Sequence, residues 1–148
     1  AIGRKNKKEN IYLPRYKFLK YYFDITTYAG YDKNLTLEYL SDFKFKKNVF
    51  IKKKKIQINK FPKISIKIDL VKIDTNGYEL DIILGLINII KKDKPVIIVE
   101  ITKDDFKISE ILKKIGYKYY FYSIKKKMFV KKNSEKLSNM YFINKTLK

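Results

Sequence analysis

The chain has 148 residues, no cysteine and no histidine. Disulfides, thiolate or imidazole metal sites, a Cys nucleophile and a Ser-His-Asp triad are therefore excluded, and acid–base work falls to Asp, Glu, Lys or Tyr. The formal net charge of +20 invites a nucleic-acid or anionic-surface reading, but only Arg4 and Arg15 are arginines. Base readout and bidentate phosphate contacts favour Arg. The Lys, Ile, Asn, Tyr and Phe excess is what AT-rich codons produce, so nucleic acid is not the expected partner.

Apolar residues make up 45% of the chain, unlike a disordered composition. Its length suffices for one domain that buries roughly 68–70% of its unfolded surface. No apolar run approaches the ~18 residues of a membrane span, and no secretory leader opens the chain. A cytoplasmic protein is the expectation. Ala1 rather than Met stands first, which points to a piece of something longer.

In chain order, Asn10–Leu13 reads as a short strand ended by Pro14. Residues 15–34 carry many aromatics at neither helical nor strand period and read as loop with at most a turn of helix. Leu35–Leu40 reads as a short helix capped by Asn34. Asn48–Ile58 alternates apolar and basic residues, as a strand or hairpin interrupted at Lys52–Lys55. That lysine run is a phosphate-binding patch, a solvated turn, or a charged edge that discourages sheet association.

The second half is more regular. Ile68–Asp74 reads as a strand and Gly77–Lys91 as a helix apolar nearly all round, hence well buried. Val96–Ile101 is a continuous apolar run, the pattern of a parallel strand covered on both faces. Asp104–Ile115 has the amphipathic stripe Ile108, Ile111, Leu112, Ile115 and stops at Gly116. Tyr117–Ile124, Met128–Val130 and Asn139–Asn144 complete the chain as strands. This order predicts the second half of a doubly wound α/β sheet, mostly parallel, ending in an antiparallel pair. Residues 1–148 form one domain with no internal repeat.

Three acids fall where such a sheet puts its ligands, outside the carboxyl ends of the strands. Asp74 ends one strand, Glu100 ends the next, and Glu79 opens the helix between them. The cluster could hold Mg2+ or another hard cation, or deprotonate a hydroxyl if burial and like charge raise one pKa. Asn76-x-x-Glu79 also fits a capping box, which explains both residues without function. Gly77 permits a close backbone approach to a ligand, or simply relieves the turn.

These segments carry a resemblance. Asp69-Leu-Val-Lys-Ile-Asp-Thr-Asn-Gly-Tyr-Glu79, Leu84-Gly85, Pro95-Val-Ile-Ile-Val-Glu100, Gly116-Tyr117 and the closing Asn139-x-Tyr-Phe-Ile143 strand resemble the FkbM-type methyltransferase family. Ala1-Ile2-Gly3 and Ile11-Tyr-Leu-Pro14 resemble the stretch that precedes them. The likeness is specific over 68–101 and looser elsewhere.

It implies a Rossmann-like fold and S-adenosylmethionine-dependent transfer of a methyl group to a hydroxyl, often on a sugar or polyketide-type product. It assigns Asp74, Glu79 and Glu100 to the acidic motif, with Asn76 where Glu is frequent. The family's donor-binding first unit, a Gly-rich turn followed by an acid-ended strand, is not found in residues 1–67. The expectation is thus the C-terminal portion of such a domain, marginal in solution and inactive alone. A Lys-rich binding module for nucleic acid or anionic surfaces, and a degenerate non-catalytic relative, are the alternatives.

Overall fold

A computed structural model describes residues 2–41 and 46–146. Ala1, which opens the Ala1-Ile2-Gly3 likeness, lies outside the described residues. The elements run β1 (Ile2–Gly3), β2 (Lys7–Phe18), β3 (Tyr21–Asp24), α1 (Lys33–Tyr39), β4 (Val49–Lys60), β5 (Leu70–Ile73), α2 (Glu79–Asp93), β6 (Val96–Glu100), α3 (Asp105–Lys114), β7 (Tyr117–Ser123), β8 (Met128–Val130) and β9 (Asn139–Asn144). They make two sheets, ordered β1-β4-β2-β3 and β5-β6-β9-β7-β8.

The first sheet departs most from expectation. β2 does not stop at Pro14; it runs on to Phe18 against β4, with Pro14 in register with Ile51. The Tyr12 and Pro14 backbones face the side where the chain bows out from Ile25 to Gly30 through a 3-10 turn at Thr26–Tyr28. A missing N–H at Pro14 therefore breaks no ladder bond. Residues 15–34 are not loop: they hold the end of β2, all of β3 and the start of α1. Every residue of β3 is exposed, so no alternation of burial marks it.

β4 is continuous through Lys52–Lys55, with no turn. Among the described residues β1 covers only its Asn59–Lys60 end, so the lysines line an otherwise open edge, where their charge discourages another strand from pairing. The cap of α1 is Asp32 rather than Asn34. Its carboxylate accepts from the Asn34 amide at 2.9 Å and the Leu35 amide at 3.2 Å.

The second sheet is mixed, which corrects the expectation of a mostly parallel one. β5 and β6 pair in parallel, but β9 inserts antiparallel between β6 and β7, and β8 pairs antiparallel with β7. β5, β6 and β7 still point the same way, so their carboxyl ends share one edge. β6 is not a doubly covered parallel strand: Ile97 and Val99 are buried while Val96, Ile98 and Glu100 are half-exposed. Alternation survives because only one face lies in the main core.

That core joins Ile82, Ile83, Leu86 and Ile90 of α2 with Ile108 and Leu112 of α3, Ile97 and Val99 of β6, and Tyr117 and Phe142. Burial of a side chain of this size contributes about 1.5–3 kcal/mol. The buried Tyr117 hydroxyl donates to the Pro95 carbonyl at 2.9 Å and ties β7 to the turn before β6. Burial pushes that phenol up to about 12. Gly116 (φ 91°) ends α3 as read. The sheets meet at α2, where the Arg4 amide donates to Asp81 at 3.1 Å and a side chain on Gly3 would collide with Asp81 and Ile58. No helix among the described residues is long and apolar enough to cross a membrane.

Candidate active site

The parallel register Ile73–Val99 puts Asp74, the next residue after β5, beside Glu100 at the end of β6. Glu100 is in turn paired with Asn139, the first residue of β9. Lys72 reaches across this edge, donating to Asp74 at 2.9 Å and to Asn139 at 3.1 Å. Lys72 and Asp74 are both about half exposed, so the pair positions Asp74 more than it stabilises the fold.

Glu100 is the perturbed acid. Burial first, then the charges of Asp74 and Glu79, hold its carboxyl above the ordinary range, with Lys72 opposing. Its Oε2 is buried and has no hydrogen-bond partner among the described residues, and the same holds for the Thr102 hydroxyl two residues on. A buried carboxylate oxygen without a donor is costly in a folded chain.

Glu79 differs. It is 1% exposed, and its Oε1 accepts from the Thr75 amide and hydroxyl, both at 3.0 Å, and from the Gly77 amide at 3.1 Å, which Oε2 shares at 3.1 Å. The predicted capping box is therefore half right. Glu79 does reach back to amides ahead of the helix, but Asn76 is not the cap; Tyr78 holds that place with no side-chain cap bond. Asn76 is left-handed (φ 51°), which turns its amide to the Thr27 and Ala29 carbonyls at 3.2 and 3.0 Å. Gly77 has φ 100°, a conformation glycine permits, and a side chain there would press on Leu35 at 3.2 Å.

The segment 25–32 thereby roofs the acid edge. Asn76 ties it to the loop after β5, and Lys103, after β6, donates to Asp32 at 2.7 Å. That hydrogen bond, with the amides of α1, lowers the Asp32 pKa. Tyr31 stacks on Tyr78 with ring centres 4.3 Å apart. Of the aromatics in 15–31, Tyr31 is thus packed near the site, while Tyr21, Tyr22 and Phe23 stand exposed on the hairpin.

Sequence reasoning named Asp74, Asn76, Gly77, Glu79 and Glu100 as candidates. It did not name Lys72, Thr75, Thr102, Asn139 or the Asp32–Lys103 pair, which the structure sets around them. A Lys two residues before a strand-end acid was the one local signal available. Among the described residues no group of three or more acids is arranged to hold a metal ion. Nor do the glycines form a nucleoside cradle: Gly3 abuts Ile58 and Asp81, Gly30 abuts Thr36 and Asn76, and Gly85 abuts Arg4. A cavity of about 710 Å3 lies elsewhere, between α3 and β7, lined in part by Phe106, Tyr119, Phe121 and Met140 and by none of the three acids.

No curated protein and no solved structure matches the chain. The family model described as Methyltransferase FkbM domain matches residues 1–121, which span β1 to the middle of β7 and include every residue of the acid edge except Asn139. The chain belongs to the FkbM methyltransferase domain family.

Proposed function

We propose that this domain supplies the acceptor side of methyl transfer from S-adenosylmethionine to a hydroxyl, on a carbohydrate or glycoconjugate. The observation that carries the reading is Glu100: a carboxylate raised by burial and by two neighbouring acids, with an unpartnered buried oxygen, at the carboxyl edge of a methyltransferase-family sheet.

The residues of this chain orient an acceptor oxygen and take its proton. The Glu100 carboxylate would accept a hydrogen bond from the acceptor hydroxyl and then its proton, while the sulfonium donor would give its methyl carbon to that oxygen as its C–S bond breaks and would leave as the neutral thioether. A raised pKa makes Glu100 a better base than a solvated carboxylate. Asp74, steadied by Lys72, accepts from a second hydroxyl and sets the orientation of the ring. Glu79 positions: it fixes the Thr75–Gly77 loop, and through it the spacing of Asp74 from Glu100.

The test is methyl incorporation by the intact protein from labelled donor into a panel of glycans, with Glu100→Gln and Asp74→Ala. Loss of a positioned base costs about 10²–10⁴-fold in rate. Full activity in both variants, or incorporation only into acceptors without a hydroxyl, would reject the reading.

A further inference from the structure

The β2–β3 hairpin projects an apolar tip inside a basic collar. Phe18, Leu19, Tyr21, Tyr22 and Phe23 are 49–76% exposed, with Leu19 highest. The ladder ends at Phe18–Tyr21, so Leu19 and Lys20 form a two-residue turn. Leu19 occupies it at φ 55°, where glycine would be unstrained and a branched apolar residue is costly. Folding gives no return for this Leu, since it packs on nothing.

Side chains of register partners share a face. Phe18, Tyr21 and Phe23 stand on one face, and Lys17, Tyr22 and Arg15 on the other. Arg15 and Lys17 lie 5.1 and 5.8 Å from the Tyr22 ring centre, and Lys20 lies 5.6 Å from that of Tyr21. Within the paired segment 15–24 the one acid, Asp24, is taken by Arg15 at 2.7 Å.

We infer that this hairpin docks the protein on an anionic phospholipid surface, with Phe18 and Leu19 entering the headgroup boundary, Lys17 and Lys20 at the phosphates and Phe23 flanking them. Phe18 lies three residues beyond Arg15, about 10 Å at roughly 3.3 Å per residue, which matches the ~5–10 Å depth of interfacial insertion. Tyr21 and Tyr22 have the amphipathic rings that favour that boundary. Charge selects the partner: a second copy would bring like charges together on a chain of net charge +20. Single-stranded nucleic acid asks for a basic groove with stacking platforms; the hairpin has exposed rings but leads with Leu19 on a two-residue turn and offers no groove.

The lysine run on β4 is a built-in comparison. Lys52 pairs with Leu13 and Lys55 with Asn10, about 17–26 Å behind the tip at roughly 3.3 Å per residue. That exceeds the Debye length of ~8 Å at physiological salt, so diffuse attraction through Lys52–Lys55 and insertion through the tip are separable.

The experiment is cosedimentation of the intact protein with phosphatidylcholine vesicles, with and without about one-third phosphatidylserine at physiological salt, the condition where the tip and the lysine run separate. The expected result is binding that requires phosphatidylserine. It falls at least ~10-fold in Phe18→Ser/Leu19→Ser/Phe23→Ser and about five-fold per charge in Lys17→Gln/Lys20→Gln. It changes little when Lys52–Lys55 are all replaced by Gln. Leu19→Gly separates docking from folding, because it should raise the melting temperature while weakening the vesicle interaction. The chain has no Trp but 13 Tyr, so Leu19→Trp gives a single indole, excited selectively at the red edge where tyrosine does not absorb, whose emission shifts to the blue on phosphatidylserine vesicles. An unshifted emission, binding lost only in the Lys52–Lys55 variant, or tip-dependent capture of an oligonucleotide with none of vesicles would each overturn the inference.

Discussion

Replacing Glu79 by Ala isolates the role of the buried acid. Three donors converge on its carboxylate: the Thr75 amide, the Thr75 hydroxyl and the Gly77 amide. A hydrogen bond to a charged acceptor contributes about 1.5–3 kcal/mol. Thr75 and Gly77 are only half-buried, so water recovers part of the loss, and the expected cost is about 3–4 kcal/mol rather than the full sum. At roughly 3 °C per kcal/mol for a chain of this size, the melting temperature falls by about 10 °C. Glu79→Gln keeps one oxygen where Oε1 accepts from all three donors, and opposes its new amide to that of Gly77, at a cost of about 1–2 kcal/mol. Urea denaturation with an unchanged m value measures both. If Glu79→Ala lies within about 0.5 kcal/mol of the parent, the range of ordinary surface changes, Glu79 does not hold the loop. Its assignment as a positioning residue then fails.

Glu100→Gln should stabilise the protein at pH 8, because the folded pKa of Glu100 is raised. Its contribution is present below the unfolded pKa and lost as pH rises through the folded value, so the difference from the parent should vanish toward acid in pH-dependent melting curves. In the parent, the acid limb of methyl transfer should lie above the usual carboxylate range. Gly77→Ala forces a side chain into φ 100° and against Leu35, and should cost about 1–2 kcal/mol in urea melts. Asn76→Asp sets an acceptor against the Thr27 and Ala29 carbonyls; hydrogen exchange of residues 25–31 should quicken, and an unchanged rate would refute the tether. Leu70, 58% exposed on β5 at the end of its sheet, should drive self-association. Leu70→Glu should lower light scattering with melting changed by less than about 0.5 kcal/mol equivalent.

What the sequence made legible followed from burial. Gly77–Lys91, Asp104–Ile115 and Asn139–Asn144 were readable because each turns a repeated apolar face to one core, and the observed ends differ by two residues or fewer. The β2–β3 ribbon was not. Its aromatics are exposed on both faces, so no period of two survives, and the Pro14 bond that seemed to end a strand is excused by a bow in the next segment. Strand direction failed for a different reason. β9 closes the chain yet inserts between β6 and β7, and nothing in Asn139–Asn144 states which neighbours it will choose.

The site divides along the same line. Asp74, Glu79 and Glu100 were legible as acids at strand ends and a helix start because those are local features. The contacts that shape the crevice join residues far apart in the chain: Asn76 to Thr27 and Ala29, Lys103 to Asp32, Glu100 to Asn139. Two of these lead to one segment, 25–32, from the two loops that follow β5 and β6. A clamp on both loops holds the carboxylates of adjacent strands close against their mutual repulsion, and that repulsion is part of what raises Glu100. The proximity of like charges is a cost to the fold, and the long-range tethers are what sustain it. Releasing Asn76 or Lys103 should therefore let Asp74 and Glu100 separate, bring the Glu100 pKa back toward the ordinary range, and move the acid limb of the activity profile down with it.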